Sequence, residues 1–213
     1  MKQILLSILM TLFVISASAV FTLNFRPLYY HDISSLNIEE TSGYSEDTIR
    51  KNYDELIRYN SVFYRGSLKL SLPMSREGRI HFEDVKRIFD TLQVVCFLAL
   101  ASSLILGIRA WKQGCRKFLR NSAILSIVLP AAAGILIAFN WERTFIWFHE
   151  VMFSNRYWIF DERTDPVIKI LPDEFFLHCA LLILFLIIAA SLCMALIYLW
   201  QKHRRTGRRR LHV

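Results

Sequence analysis

Two histidines carry the most chemical potential in this sequence. His149 stands in the stretch 148–176, FHEVMFSNRYWIFDERTDPVIKILPDEFF, which is crowded with aromatic side chains and carboxylates. His81 stands in the stretch 78–90, GRIHFEDVKRIFD. Imidazole titrates at about pH 6.5, so a positioned histidine can take a proton and give it back under ordinary conditions. Asp84 follows His81 by about one helical turn, where a carboxylate can orient the ring or raise its basicity. Taken singly, each histidine also has a plainer reading: His149 as a packing residue of an amphipathic helix, His81 as a helix cap. A zinc site built from His81, His149, Glu150 and Asp161 is a further reading, but the HExxH spacing of the helical zinc hydrolases is absent, and no metal or other cofactor is expected. His178 ranks third, His31 has no convincing partner, and His203 and His212 sit in a basic tail.

What is missing is equally informative. There is no GxSxG elbow, and Ser154, five residues after His149, does not make a triad pattern. The four cysteines, Cys96, Cys115, Cys179 and Cys193, fall in apolar runs or in a short basic loop. They form neither a disulfide framework nor a zinc motif. Acyl-transfer chemistry on this chain would have to take its nucleophile from the substrate.

The elements that position the two histidines follow from composition. Of 213 residues, 54% are hydrophobic. Four apolar runs, at about 4–23, 91–108, 122–139 and 175–200, each approach the roughly 20 residues that cross a bilayer as a helix. The chain reads as a single all-α membrane domain over 1–213, with four transmembrane helices and two polar loops, 24–90 and 140–174. The first run, with Lys2 before it and Ala17-Ser18-Ala19 near its end, is also compatible with a cleavable export signal; its full span length favours a retained helix.

Charge orients the spans. Residues 109–120 hold five positive side chains and no acid, the tail after Trp200 holds six, and Lys2 adds one. The two large loops together sum to −4, although the whole chain is +8. Positive loops stay inside, so both termini are expected in the cytoplasm and both large loops outside. Beside a spanning helix, the basic C-terminal tail is expected to meet anionic lipid headgroups of the membrane rather than nucleic acid.

The outer loops read as a small α cap with one short β segment. A helix is expected over 47–60, with Ser45 as N-cap, Glu46 and Asp47 in its first turn, and Ile49, Tyr53, Leu56 and Ile57 as one apolar stripe. Over 65–72, Leu68, Leu70 and Leu72 alternate with polar residues up to Pro73, the pattern of a short strand. Glu77-Gly78 reads as a turn. Trp141, Phe145, Phe148 and Met152 recur at helical spacing, suited to a helix in the headgroup layer. Pro172, with Asp173 and Glu174, opens the last span. The residues alone leave several classes open: an enzyme acting on acyl groups, such as a phospholipid acyl hydrolase or transferase, or a non-enzymatic four-span partner or sensor.

The stretch 148–176 resembles the signature of the bacterial lipoprotein intramolecular transacylases, a family of four-span membrane proteins. The stretch 78–90 is similar to their second signature, and NYDELIRY, at 52–59, to a weaker one. The similarity runs from about residue 45 to 176. The resemblance implies a substrate lipoprotein whose N-terminal cysteine carries a diacylglyceryl group on sulfur and has a free α-amine. It implies transfer of the sn-2 acyl chain to that amine at the outer face of the bacterial cytoplasmic membrane, leaving an N-acyl, S-monoacylglyceryl product. His149 is then expected as the main acid and base, with His81 stabilising the oxyanion or sharing the proton. Asn155, Arg143, Asp84, Tyr53 and Trp158 are the expected substrate-binding residues. For Arg143 a headgroup ion pair, for Tyr53 packing and for Trp158 interfacial anchoring are the alternatives.

Overall fold

The computed structural model describes residues 2–210, with side chains except at 2, 129 and 205–210. Its elements, in order, are α1 (Lys2–Asn24), α2 (Arg26–Ser35), α3 (Ile38–Ser42), α4 (Glu46–Tyr59), α5 (Arg76–Lys112), α6 (Lys117–Phe139), α7 (Trp141–Met152), a 3-10 turn (Pro166–Ile170) and α8 (Asp173–Arg210). Four of these helices, α1, α5, α6 and α8, are long and apolar enough to cross a membrane. The all-helical, four-span reading holds. The lipid-headgroup reading of the tail falls mainly on Arg205 and Arg208–Arg210, whose side chains lie outside the described residues.

The chain divides into two compact units. One takes the chain up to Ala19, Val95–Ile135 and the chain from Ile183. Its core is small: Leu6, Val14, Phe118, Leu119, Ala123, Ile187 and Met194. Buried serines let the helix backbones approach, as small residues do in membranes. Ser7 Oγ donates to Gln3 O, and Ser122 Oγ donates across to Ser7 O at 3.3 Å. Leu98, Val128, Phe185 and Leu196 are well over half exposed, as side chains facing hydrocarbon should be.

The other unit comprises Val20–Val94 and Leu136–Leu182. Its core gathers Tyr29 and Ile33 of α2, Ile38 of α3, the α4 stripe, Leu68, Leu72, Phe82, Val167, Ile170, Leu171 and Phe175. Burying one such side chain contributes about 1.5–3 kcal/mol, which is what holds these short helices in place. Ser45 caps α4, its Oγ accepting from Thr48 N, and all four stripe residues are buried. At the other end of α4, Lys86 Nζ donates to Tyr59 O at 2.9 Å and Ser61 O at 3.0 Å, satisfying carbonyls the helix leaves open.

Two expectations fail here. No strand occurs among the described residues, and 65–72 is an irregular segment with bends at Gly66, Ser71 and Leu72. The alternation is real, with Leu68 and Leu72 buried, but no second strand lies beside it; α4 side chains take its backbone instead. Asn52 Oδ1 accepts from Ser71 N at 2.8 Å, and Glu55 Oε1 from Lys69 N at 3.2 Å. Glu77-Gly78 is not a turn but the first turn of α5. Ser75 starts that helix, its Oγ accepting from Gly78 N at 2.9 Å.

Candidate active site

The arrangement around the two histidines is built from the start of α5, the end of α7 and the loop that follows it, all within the second unit. The start of α5 is fixed from a distance in sequence. Asp165, only 3% exposed, accepts from Ser75 N at 2.7 Å and from Thr164 Oγ1 at 2.7 Å. Its carboxylate sits so close to Gly78 that a Cβ there would collide with it, so this position needs glycine for space rather than for a turn. One turn on, His81 is 6% exposed, and Phe82, Phe153 and Phe160 surround its ring at centroid distances of 5.8, 4.7 and 5.4 Å.

α7 brings in the second imidazole. Asn140 caps it, Oδ1 accepting from Arg143 N at 2.8 Å, and His149 lies in the last turn. His149 Nδ1 is 2.8 Å from Phe145 O. A carbonyl oxygen can only accept, so Nδ1 carries the proton and Nε2 is left with its lone pair. Phe145, Phe153 and Trp158 flank the ring at 4.3, 5.6 and 4.9 Å. The imidazoles of His81 and His149 are 6.2 Å apart at their centroids and inclined by 34°.

The setting is apolar, and it keeps both rings neutral. Burial pushes His149 below its ordinary 6.5, against a smaller upward pull from the Phe145 carbonyl. Burial pushes His81 down to about 4; His149 adds to the effect, and Asp84 opposes it. Near neutral pH both histidines are therefore bases. His81 Nδ1 is buried and has no hydrogen-bond partner in the protein, an expensive state for a polar atom unless something else uses it.

The remaining sequence-derived candidates separate. Asp84 does not reach His81 by a hydrogen bond. Its Oδ2 accepts from Asn155 Nδ2 at 3.1 Å and its Oδ1 pairs with Arg87, so it acts on His81 only through its field. That Asp84–Asn155 bond ties the loop after α7 to α5, and Asn155 Oδ1 accepts in turn from Tyr157 N. Trp158 lies against His149. Tyr53 is 3% exposed in the core of the second unit, stacked on Tyr29 at 3.8 Å and edge-on to Phe175. Arg143 is exposed on α7 beside Trp147. Asp161 closes the loop, its Oδ1 accepting from Arg163 N at 2.9 Å.

Phe145 was named from the sequence only as part of the aromatic stripe of α7, not as a wall of the site; Phe153 and Phe160 were not singled out. A second histidine–carboxylate pair was also missed. Asp32, 1% exposed on α2, accepts from His178 Nδ1 on α8 at 2.9 Å and from Ser35 Oγ at 3.2 Å. The two residues are 146 apart, and nothing local to either announces the other.

A pair of uncharged imidazoles in an aromatic enclosure, on a chain with four membrane-length helices, defines a membrane-integral protein equipped for proton transfer. The model of the family described as lipoprotein intramolecular transacylase Lit matches residues 4–176, and the chain belongs to that family of acyltransferases. It is similar over 97% of its length to the solved membrane-integral lipoprotein intramolecular transacylase Lit of Bacillus cereus, at 37% identity and a TM-score of 0.94, covering 96% of that chain. Two single-histidine variants of the same Bacillus cereus protein are also similar. The arginine variant gives 38% identity, a TM-score of 0.86 and 93% of that chain; the alanine variant gives 37%, 0.87 and 94%. In both cases 97% of the present chain is covered. No curated protein sequence matches.

Proposed function

We propose that this protein moves the sn-2 acyl chain of an S-diacylglyceryl cysteine lipoprotein onto the α-amine of the same cysteine, at the outer face of the bacterial cytoplasmic membrane. The observation that carries this reading is the fixed tautomer of His149, whose Nε2 is a lone-pair base among aromatic rings, 6.2 Å from a second neutral imidazole. The α-amine of a peptide has a pKa of about 7.7–8.0 and must lose a proton to attack the ester. Its nitrogen adds to the sn-2 carbonyl carbon, and the carbonyl electrons move to oxygen. His149 Nε2 takes the amine proton. When the carbon–oxygen bond to glycerol breaks, the same proton passes to the departing glycerol oxygen, and an amide remains. Proton handling of this kind contributes about 10²–10⁴-fold. Because amine and ester belong to one molecule, holding them in contact supplies a further large factor.

In this scheme His81 faces the reaction from the other side. Its Nδ1 is enclosed, so Nε2 is the ring nitrogen offered to the tetrahedral oxygen or to the shared proton. Asn155 keeps one amide N–H on Asp84, and its other N–H is a second candidate donor. Trp158, against His149, covers the ring and offers an apolar wall to an acyl chain. Arg143, exposed beside the aromatic face of α7, suits a lipid phosphate. Tyr53 supports the first-loop core and contributes indirectly. Orientation rests on the charge of the loops, with the acidic ones outside.

The test is mass spectrometry of the N-terminal peptide of a lipoprotein from cells with and without this chain, and with His149→Ala or His81→Ala. Conversion of the N-terminus from a free amine to an N-acyl form, abolished in both variants, is the expected result. A peptide that keeps both chains on glycerol in the presence of the wild-type chain would rule the reading out.

A further inference from the structure

The unit made of the chain up to Ala19, Val95–Ile135 and the chain from Ile183 contains twelve Lys and Arg residues and no Asp or Glu. It has no side-chain carboxylate of its own to set against that charge. One of these cations stands at the mouth of an apolar groove of about 260 Å³ between α6 and α8. The groove exists because its floor is made of small side chains. Ala123 of α6 lines it together with Ser191 and Ala195, one helical turn apart on α8, while Ile124 and Leu192 stand up at its sides, 58% and 55% exposed. Arg120 and Tyr198 form the end nearest the basic segments, with Arg120 Cζ 5.9 Å from the centroid of the Tyr198 ring. Arg120 Nε and Nη2 donate to Asn121 Oδ1 at 3.3 and 3.2 Å. A guanidinium has five N–H groups in a planar fork, so the rest are open to an acceptor outside the protein.

We propose that this groove binds an anionic phospholipid, its phosphate on Arg120 and a stretch of one acyl chain along the floor of Ala123, Ser191 and Ala195. Both α6 and α8 are membrane-length helices, so a groove on their surface opens on the bilayer. Arg120 immediately precedes the apolar run of α6, and Tyr198 stands at the end of the apolar run of α8. Both belong at headgroup level, where the tips of Arg and Tyr meet water while their bodies stay on apolar surface. From Tyr198 the floor reaches Ser191, about 10 Å deeper along α8. A cation at the mouth and an apolar course below it fit a molecule with phosphate at one end and hydrocarbon at the other. The volume falls below the roughly 300–1,000 Å³ of pockets that enclose a whole small molecule, which suits a groove holding part of one chain. Arginine offers paired N–H groups to phosphate oxygens, and no carboxylate of this unit competes for them. A zwitterionic lipid carries its own cation beside the phosphate, so an anionic headgroup is the better partner.

The test is native mass spectrometry of the full-length protein, released from detergent micelles after exposure to phosphatidylglycerol or to phosphatidylcholine with identical chains. Wild type should retain one phosphatidylglycerol with an apparent affinity about tenfold above that for phosphatidylcholine, the effect of one hydrogen bond to a charged group. Arg120→Gln should remove that preference. Arg109→Gln, which changes an exposed cation of the same unit that does not line the groove, should keep it. Ala195→Phe fills the floor and should lower phosphatidylglycerol retention with Arg120 intact. The two arginine variants alter exposed side chains only, so their comparison decides the matter even where Ala195→Phe fails to fold. Equal retention of the two lipids by wild type would overturn the proposal, as would an undiminished preference in Arg120→Gln. An equal loss in Arg109→Gln would also overturn it, because the attraction would then belong to the whole basic face and not to a site.

Discussion

Acidification should unfold this protein chiefly through His81, and the size of the effect can be worked out. Burial holds the folded His81 at about 4, whereas the unfolded chain titrates near 6.5. The unfolded state thus binds the proton first. Stability is fully present above pH 6.5 and is lost as the pH falls toward 4. Linkage between 6.5 and 4 gives a loss of about 2.5 kcal/mol at pH 4.5, a large part of the stability of an ordinary domain. His149, also held below 6.5, adds to the loss in the same direction. Replacing His81 with phenylalanine keeps a ring among Phe82, Phe153 and Phe160, removes the unpartnered Nδ1 and removes the titrating group. The assay is denaturant unfolding in detergent micelles, followed by tryptophan fluorescence at pH 7 and pH 4.5, for wild type and His81→Phe. The acid loss should shrink by about 2.5 kcal/mol in the variant. Equal acid sensitivity of the two proteins would refute the reasoning, because the imidazole would then not be held neutral by its surroundings.

Three further outcomes are expected. The kcat/KM profile should fall first as the substrate amine is protonated, at about 7.7–8.0, and a second acid limb should lie below pH 6.5, because His149 must be neutral to accept a proton and burial lowers its pKa; a second limb centred above 6.5, measured by product formation in micelles, would contradict that. Removing His178 from the buried Asp32, as in His178→Ala, should cost about 1–3 kcal/mol, because one carboxyl oxygen of Asp32 loses its hydrogen-bond donor and Ser35 alone remains. The Asp32→Asn, His178→Ala double variant should recover part of that in the same unfolding assay. Gly78→Ala should destabilise by about 1–3 kcal/mol, since its Cβ displaces the Asp165 carboxylate from Ser75. An unchanged melting temperature in that variant would mean the loop moves aside freely.

Local features of this protein were legible in the residues themselves. Four membrane-length apolar runs, the Ser45 cap, the buried stripe of α4 and the aromatic helix α7 all depend on neighbours within about four positions, where propensity and periodicity act. The strand expected at 65–72 failed because alternation shows which face is buried but not what pairs along the edge, and here α4 side chains take that place. Glu77-Gly78 failed for a related reason: the glycine answers to the Asp165 carboxylate, 87 positions along the chain, and not to its own backbone. His81 and His149 could be named as candidates from type and setting alone. Only tertiary packing set them 6.2 Å apart and buried His81 among aromatic rings. The same holds for Asp84, which the sequence places one turn from His81 and the fold commits to Asn155 and Arg87. Distance, burial and shared hydrogen bonds belong to contacts between segments far apart in the chain, and those contacts turn two candidate histidines into one candidate site.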